Sequence, residues 1–269
     1  MSPGALPQDP AATPGRHGRH RDRPGVTSEP SFRRLWLANA LDEAGKPVAT
    51  LGLSVTAVVD LEANAGQMGV LAAMTQGAYL LFALPAGVWV DRARKRRVLV
   101  VANVLRALAL GAVLAAHLTG TLTMVHLFAL AAVLATAGLF VDTAQGALLP
   151  LLVGRPRVSE AQSKLQAVNS VVQSAGPGVT GLVLARVAPP LLFGFSAVTS
   201  LASALAAARI DAPEQRRDSA GPRPAFWPSL LTGVRFTFRQ PALRTGALAS
   251  AANNLGAGML MTVGALFVM

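Results

Sequence analysis

The chain has 269 residues, 52 % hydrophobic and only 14 % charged, whereas an ordinary soluble domain carries about 25 % charged residues. That is too little charge to solvate a globular surface of this size, and the mean hydropathy of +0.46 agrees; the fold class implied is an all-α membrane protein with lipid against much of its surface. The net charge of +11 would suggest nucleic acid in a soluble protein, but the bases fall between apolar runs, so it reads as loop charge and no nucleic-acid partner is expected; with no Cys, disulfides and thiolate metal sites are excluded.

Residues 1–31 are rich in Pro, Gly, Arg and His and hold no apolar run, so they read as a disordered basic tail and not as a secretory signal peptide. Arg16–Arg23 either touches anionic lipid headgroups or is simply solvated, and its His residues lack the partners of a metal site. Apolar spans follow at 32–59, 67–90, 98–118, 122–150, 165–186, 189–208 and 245–269, each about long enough to cross a bilayer. Pro85, Pro150, Pro177 and Pro189–Pro190 fall near span ends or mark kinks, which membrane helices tolerate.

The connections alternate in charge. Arg33 and Arg34 precede the first span, and Asp60 and Glu62 follow it. The second connection is dense in bases from Arg92 to Arg97, and the third has no Lys or Arg. Arg155, Arg157 and Lys164 follow span four, Arg186 follows span five, and seven arginines from Arg209 to Arg244 follow span six. Basic connections at every second position put the N-terminus in the cytoplasm of a multi-pass protein of the cell membrane. Residues 211–224 read as a flexible linker. After them Phe226, Leu230, Leu231, Val234 and Phe238 recur at helical spacing opposite Arg235 and Arg239, which suggests a helix lying in the headgroup plane.

Spans one and seven align without gaps. Arg33 falls over Arg244, Gly45 over Gly256, Asp42 over Asn253 and Glu43 over Asn254. Placed right after the long linker, this match suggests a tandem duplication. The expected plan is a tail (1–31), a six-helix bundle (32–208), a cytoplasmic linker with an amphipathic helix (209–243), and the first helix of an incomplete second half (244–269). The expectation is a truncated chain whose missing half is its principal partner.

Charges inside a membrane helix cost about 3 kcal/mol each on insertion scales, so they face one another or a wet cavity. Asn39, Asp42, Glu43, Lys46 and Thr50 share one face of span one. They form either a substrate- and proton-coupling face or a satisfied internal ion pair, with Asp42 and Lys46 in reach at i, i+4. Arg106 and Asp142 are the other intramembrane charges, each about ten residues, hence roughly 15 Å, from its cytoplasmic end. A cross-helix pair between them is expected, either structural or broken during transport.

Two motifs carry a resemblance. The second connection, Gly87-Val-Trp-Val-Asp91-Arg92-Ala-Arg94-Lys95-Arg96-Arg97, resembles motif A of the major facilitator superfamily, G-x-x-x-D-(R/K)-x-G-(R/K)-(R/K), with Arg94 where the family often has Gly. The alternative is an ordinary positive-inside loop. In the first reading Gly87 permits close helix approach, Asp91 caps or pairs at a helix end, and Arg92, Lys95 and Arg96 hold the gating loop at the cytoplasmic face. Span five contains Gly176-Pro177-Gly178-Val-Thr-Gly181, similar to the antiporter motif C (G-P-x-x-G) with its last Gly one place late. A packing face with a Pro kink is the plainer alternative.

Phe32–Asn39, the Ala147–Pro150 ending of span four, Ser159–Ser170 and Gly233–Arg244 look like the branch of drug and siderophore exporters that holds the enterobactin and macrolide exporters, and the resemblance runs from about Phe32 to the C-terminus. It implies proton-driven efflux of a small organic molecule by alternating access. The alternatives are a nutrient importer of the same superfamily and a seven-helix receptor. No P-loop, HExxH or GxSxG signature appears, so neither an enzyme nor a cofactor or metal is expected.

Overall fold

The computed structural model describes residues 26–186 and 188–211, with Gln240, Arg244–Gly246 and Ala249. Six long helices account for most of these residues: α1 (Pro30–Val59), α2 (Ala65–Arg92), α3 (Lys95–Leu118), α4 (Met124–Val153), α5 (Val158–Leu184) and α6 (Leu191–Ala208). No strand occurs among the described residues. Helices α3, α4 and α6 are long and apolar enough to cross a membrane by length and composition alone. Large apolar side chains such as Leu81, Val101, Leu108, Val125 and Val198 point outward, as they do where lipid is the solvent.

Local signals account for the ends. Pro30 starts α1 at its first turn, where a missing N–H costs nothing. Asn64 and Gln67 cap α2 reciprocally, each side-chain oxygen accepting from the other's backbone N–H at 2.9 Å. Gly154, at φ +74°, ends α4 in a conformation that disfavours a side chain. Three expected boundaries move. The helix of span four runs through Pro150 to Val153, α5 begins at Val158 and not near 165, and α2 runs on to Arg92. The polar stretch after Arg157 is helical, with Glu160 and Lys164 one turn apart on it, 3.9 Å between charges.

The core has two apolar layers. One gathers Phe32, Leu35, Val90, Leu99, Leu148 and Leu165 around the start of α1. The other gathers Leu53, Leu71, Leu110, Leu127, Leu130 and Phe193 around its end. On α1 the polar residues Asn39 to Lys46 fall between these layers. Helices α1 and α6 meet along a seam of small residues, where a Cβ on Gly45 would collide with the Thr199 hydroxyl. Along that seam Ser196 Oγ donates to the Gly45 carbonyl (3.1 Å) and Ser203 Oγ to the Ala38 carbonyl (2.8 Å).

The last residues of the expected tail are folded. Val26–Ser28 form a 3-10 turn with Val26 buried, and the Val26 N–H donates to Glu160 Oε1 at 3.1 Å. Ser31 and Arg34 bond the Asp211 and Arg209 carbonyls. The turn before α1 therefore ties down the beginning of α5, and the start of α1 ties down the residues just after α6. Residues 1–25, most of the 209–243 linker with its amphipathic segment, and nearly all of the seventh span, including Asn253, Asn254 and Gly256, lie outside the described residues.

Candidate intramembrane charge cluster

The polar face of α1 is set by helical period: Asp42 and Glu43 follow Asn39 by three and four residues, and Lys46 follows them by four and three. Asn39, Asp42 and Glu43 are buried. Lys46 Nζ reaches Asp42 Oδ2 at 3.3 Å, pairs with Glu43 Oε1, and lies 3.7 Å from Asp142 Oδ1 on α4. Asp142 Oδ2 in turn accepts from the Tyr79 hydroxyl of α2 at 3.3 Å. Thr50 does not join: its hydroxyl donates to the Lys46 carbonyl one turn back.

The expected pair between Arg106 and Asp142 does not form. Arg106 Nη1 bonds Asp42 Oδ1, and both side chains are almost wholly buried. Arg106 sits on the face of α3 turned to α1, whereas Asp142 sits beside Lys46 and Tyr79. The two are linked only at second hand, through Asp42 and Lys46. One chain of charge therefore crosses three helices, from Arg106 through Asp42 and Lys46 to Asp142, with Glu43 on Lys46.

A row of amides continues it. Gln145 Nε2 donates to Asn39 Oδ1 (3.0 Å), and Asn39 Nδ2 donates to Asn169 Oδ1 (3.2 Å), joining α4, α1 and α5. The sequence reading missed Tyr79, Asn103, Gln145, Asn169 and the α6 hydroxyls. Spacing could have found several: Gln145 is three residues after Asp142, Asn103 three before Arg106, and Ser196, Thr199, Ser200 and Ser203 form a stripe at helical period. No signal pointed to Tyr79 except that it is the chain's single tyrosine.

The other sequence candidates lie apart from this cluster. Asp91 and Arg92 form the last turn of α2, and only Ala93 and Arg94 separate them from α3. The supposed loop is thus a two-residue connection between helices. Lys95 Nζ donates to the Asp91 carbonyl at 3.2 Å, Asp91 does not cap α3, whose start has no side-chain cap, and Arg96 lies in the first turn of α3. Nothing among the described residues lies within 4 Å of a Cβ built on Gly87 or on Gly181, so the close helix approach expected at these glycines is not found there. It occurs at Gly176, where that Cβ would stand 3.0 Å from Pro47 Cγ of α1. Pro177 lies inside α5 and Pro47 inside α1, so two helices interrupted by proline touch next to Lys46.

What this arrangement offers chemically is a set of carboxylates among which Lys46 can change partner. Three carboxylates share two bases, so the described cluster is one positive charge short. Among the described residues no group of His, Cys, Asp or Glu is arranged to hold a metal ion.

Comparison with known proteins agrees with this architecture. The Major Facilitator Superfamily family profile matches residues 35–269. The multidrug efflux pump Tap of Mycolicibacterium fortuitum is 31 % identical over 181 residues, covering 63 % of this chain and 43 % of that protein. The chain thus spans less than half the length of the curated relative it matches.

Proposed function

The chain belongs to the Major Facilitator Superfamily, a family of membrane-embedded, multi-pass transporters, and from that premise we propose that it exports a small organic molecule across the cell membrane in exchange for protons. The observation that carries this reading is the cluster in which Lys46 is shared by Asp42, Glu43 and Asp142 while Arg106 holds Asp42. A proton entering such a set changes which carboxylate Lys46 favours. That shift biases the packing of α1 against α4, and a coupled transporter needs a charge event tied to a helix rearrangement. The half-exposed side of the cluster, at Lys46, Asp142 and Tyr79, faces the substrate. Gly176 and Pro47 bring α1 and α5 together, and the α2–α3 junction, with Gly87, Asp91 and Arg92 in α2 and Lys95 and Arg96 at the start of α3, gates the cytoplasmic side.

Alternating access places such a site between two helical bundles. The relative named as an efflux pump extends well beyond the matched region, and we infer that a second bundle supplies the other wall. The N-terminus is cytoplasmic in this reading, because the arginine-rich connections then lie inside. The experiment is transport in proteoliposomes with an imposed proton gradient, using several cationic dyes and antibiotics. Gradient-dependent extrusion that disappears in Asp142→Asn supports export coupled to protons. Uptake in the same direction as the protons would make the protein an importer, and transport indifferent to the gradient would remove the coupling.

A further inference from the structure

A groove of about 560 Å³ runs beside the first turns of α1, lined among the described residues by Pro30, Phe32, Arg33, Arg34, Trp36 and Leu37. Its lining changes with depth. Trp36 and Leu37 stand one turn further into the span than Arg33, hence about 5 Å deeper along the helix axis. Both offer apolar surface, Trp36 being 39 % exposed and Leu37 48 %. An apolar strip with bases at its shallow end suits an amphiphile better than a wholly polar or a wholly apolar ligand.

The two bases differ in what they hold. Arg34 Nη1 donates to the Arg209 carbonyl and lies 3.8 Å from the Asp211 carboxylate, so it ties α1 to the residues just after α6. Arg33 is exposed, and among the described residues no carboxylate pairs with it. Glu29, one turn before it, lies 3.9 Å from Arg157 instead, and Asp211 goes to Arg34. An unneutralised guanidinium beside apolar walls is complementary to an anion carried on apolar chains. The chain's own apolar segment from Phe226 to Phe238 is a poorer match, because it brings Arg235 with it and sets like charge against Arg33.

We propose that this groove binds one anionic phospholipid of the cytoplasmic leaflet, with its phosphate on the Arg33 guanidinium and an acyl chain along Trp36 and Leu37. The choice of leaflet rests on the proposed orientation of the chain; the pairing of phosphate with Arg33 does not. Trp36 then lies at the depth where an indole, apolar over its rings and polar at its N–H, meets both lipid and water.

The test is native mass spectrometry of the full chain, delipidated in detergent and titrated with phosphatidylglycerol or phosphatidylcholine. A first phosphatidylglycerol is expected to bind more tightly than phosphatidylcholine. Arg33→Gln should weaken that phosphatidylglycerol about fivefold, the share of one base near a lipid surface, and leave phosphatidylcholine unchanged. Arg186→Gln, which removes an exposed base just past the other end of α5, should change neither. Equal affinity for the two lipids, or a preference that Arg33→Gln leaves intact, overturns the proposal. Because the chain has no Cys, Trp36→Cys combined with Leu230→Cys reports the rival occupant. Rapid disulfide formation would put the chain's own segment in the groove and overturn the lipid site; no cross-link is expected. The comparison of the two lipids uses the unaltered chain, so it decides the matter even if a variant fails to insert. Binding is read without transport or a proton gradient, so its failure would leave the proposed export untouched.

Discussion

The two ion pairs at either end of the cluster are built differently. Asp42 and Arg106 are 3 % and 4 % exposed, closed in by α1, α3 and α6, and joined by direct contact. Lys46 and Asp142 have side chains 31 % and 52 % exposed and stand 3.7 Å apart, with Lys46 divided among three carboxylates. Burial makes the first pair expensive to break, since losing one partner strands a charge out of water. Exposure makes the second cheap to rearrange, since water screens it and other partners are at hand. On the proposed function, the first pair is the fixed point that holds the helices in register and the second is the one that changes partner during the cycle.

The largest effect is therefore expected at the buried pair. Arg106→Met or Asp42→Leu alone should destabilise the protein by about 3–5 kcal/mol, read as loss of folded protein in detergent melting, while the double variant recovers most of that loss. If the single variants are as stable as the parent, the contrast between the two pairs fails. Next comes the seam that carries the buried pair. Gly45→Val forces a side chain into Thr199 and should cost about 1–3 kcal/mol, whereas Gly181→Ala, with open space around it, should melt like the parent.

At the exposed end, Asp142→Asn should change stability by only about 0–1 kcal/mol and, on the proposed function, lower proton-driven transport at least about tenfold, whereas Lys46→Met, which leaves the buried Glu43 without its partner, should cost more stability. A variant that transports normally would assign Lys46 or Asp142 to packing alone. A similarly small stability effect, about 0.3–1 kcal/mol, is expected at Asp91→Asn, because it sits exposed at a helix end. Its signature is an altered balance of inward- and outward-open forms, measured by accessibility labelling from each side. In the same assay a Cys placed at Arg94 should resist a membrane-impermeant reagent in intact cells, and labelling from outside would reverse the topology.

Much of the fold was legible in the residues. Six apolar runs became six helices, since a backbone in lipid has little choice but to satisfy its own hydrogen bonds. The boundaries that slipped did so where the apolar signal was not the deciding one: α5 begins in a polar stretch, and α4 runs through Pro150. The α1 face was legible as well, because Asn39, Asp42, Glu43 and Lys46 are fixed to one side by helical period. The pairing of Arg106 was not. Two intramembrane charges of opposite sign invite pairing with each other, but depth along two helices says nothing about which faces meet. Arg106 found Asp42, and Asp142 found Lys46 and Tyr79.

By itself, then, the sequence determined what each helix carries: its length, its apolar bulk, the period of its polar face and the charge at its ends, all properties of a chain read locally. Only the tertiary structure decided which faces touch. The packing of α1 on α6 through Gly45 and Thr199, and of Gly176 on Pro47, sets the rotation of α1, and that rotation decides which carboxylate Arg106 reaches. The reason is geometric. A helix fixes the spacing of its own side chains to within an ångström, but its rotation against a neighbour follows from where small residues let two backbones close together.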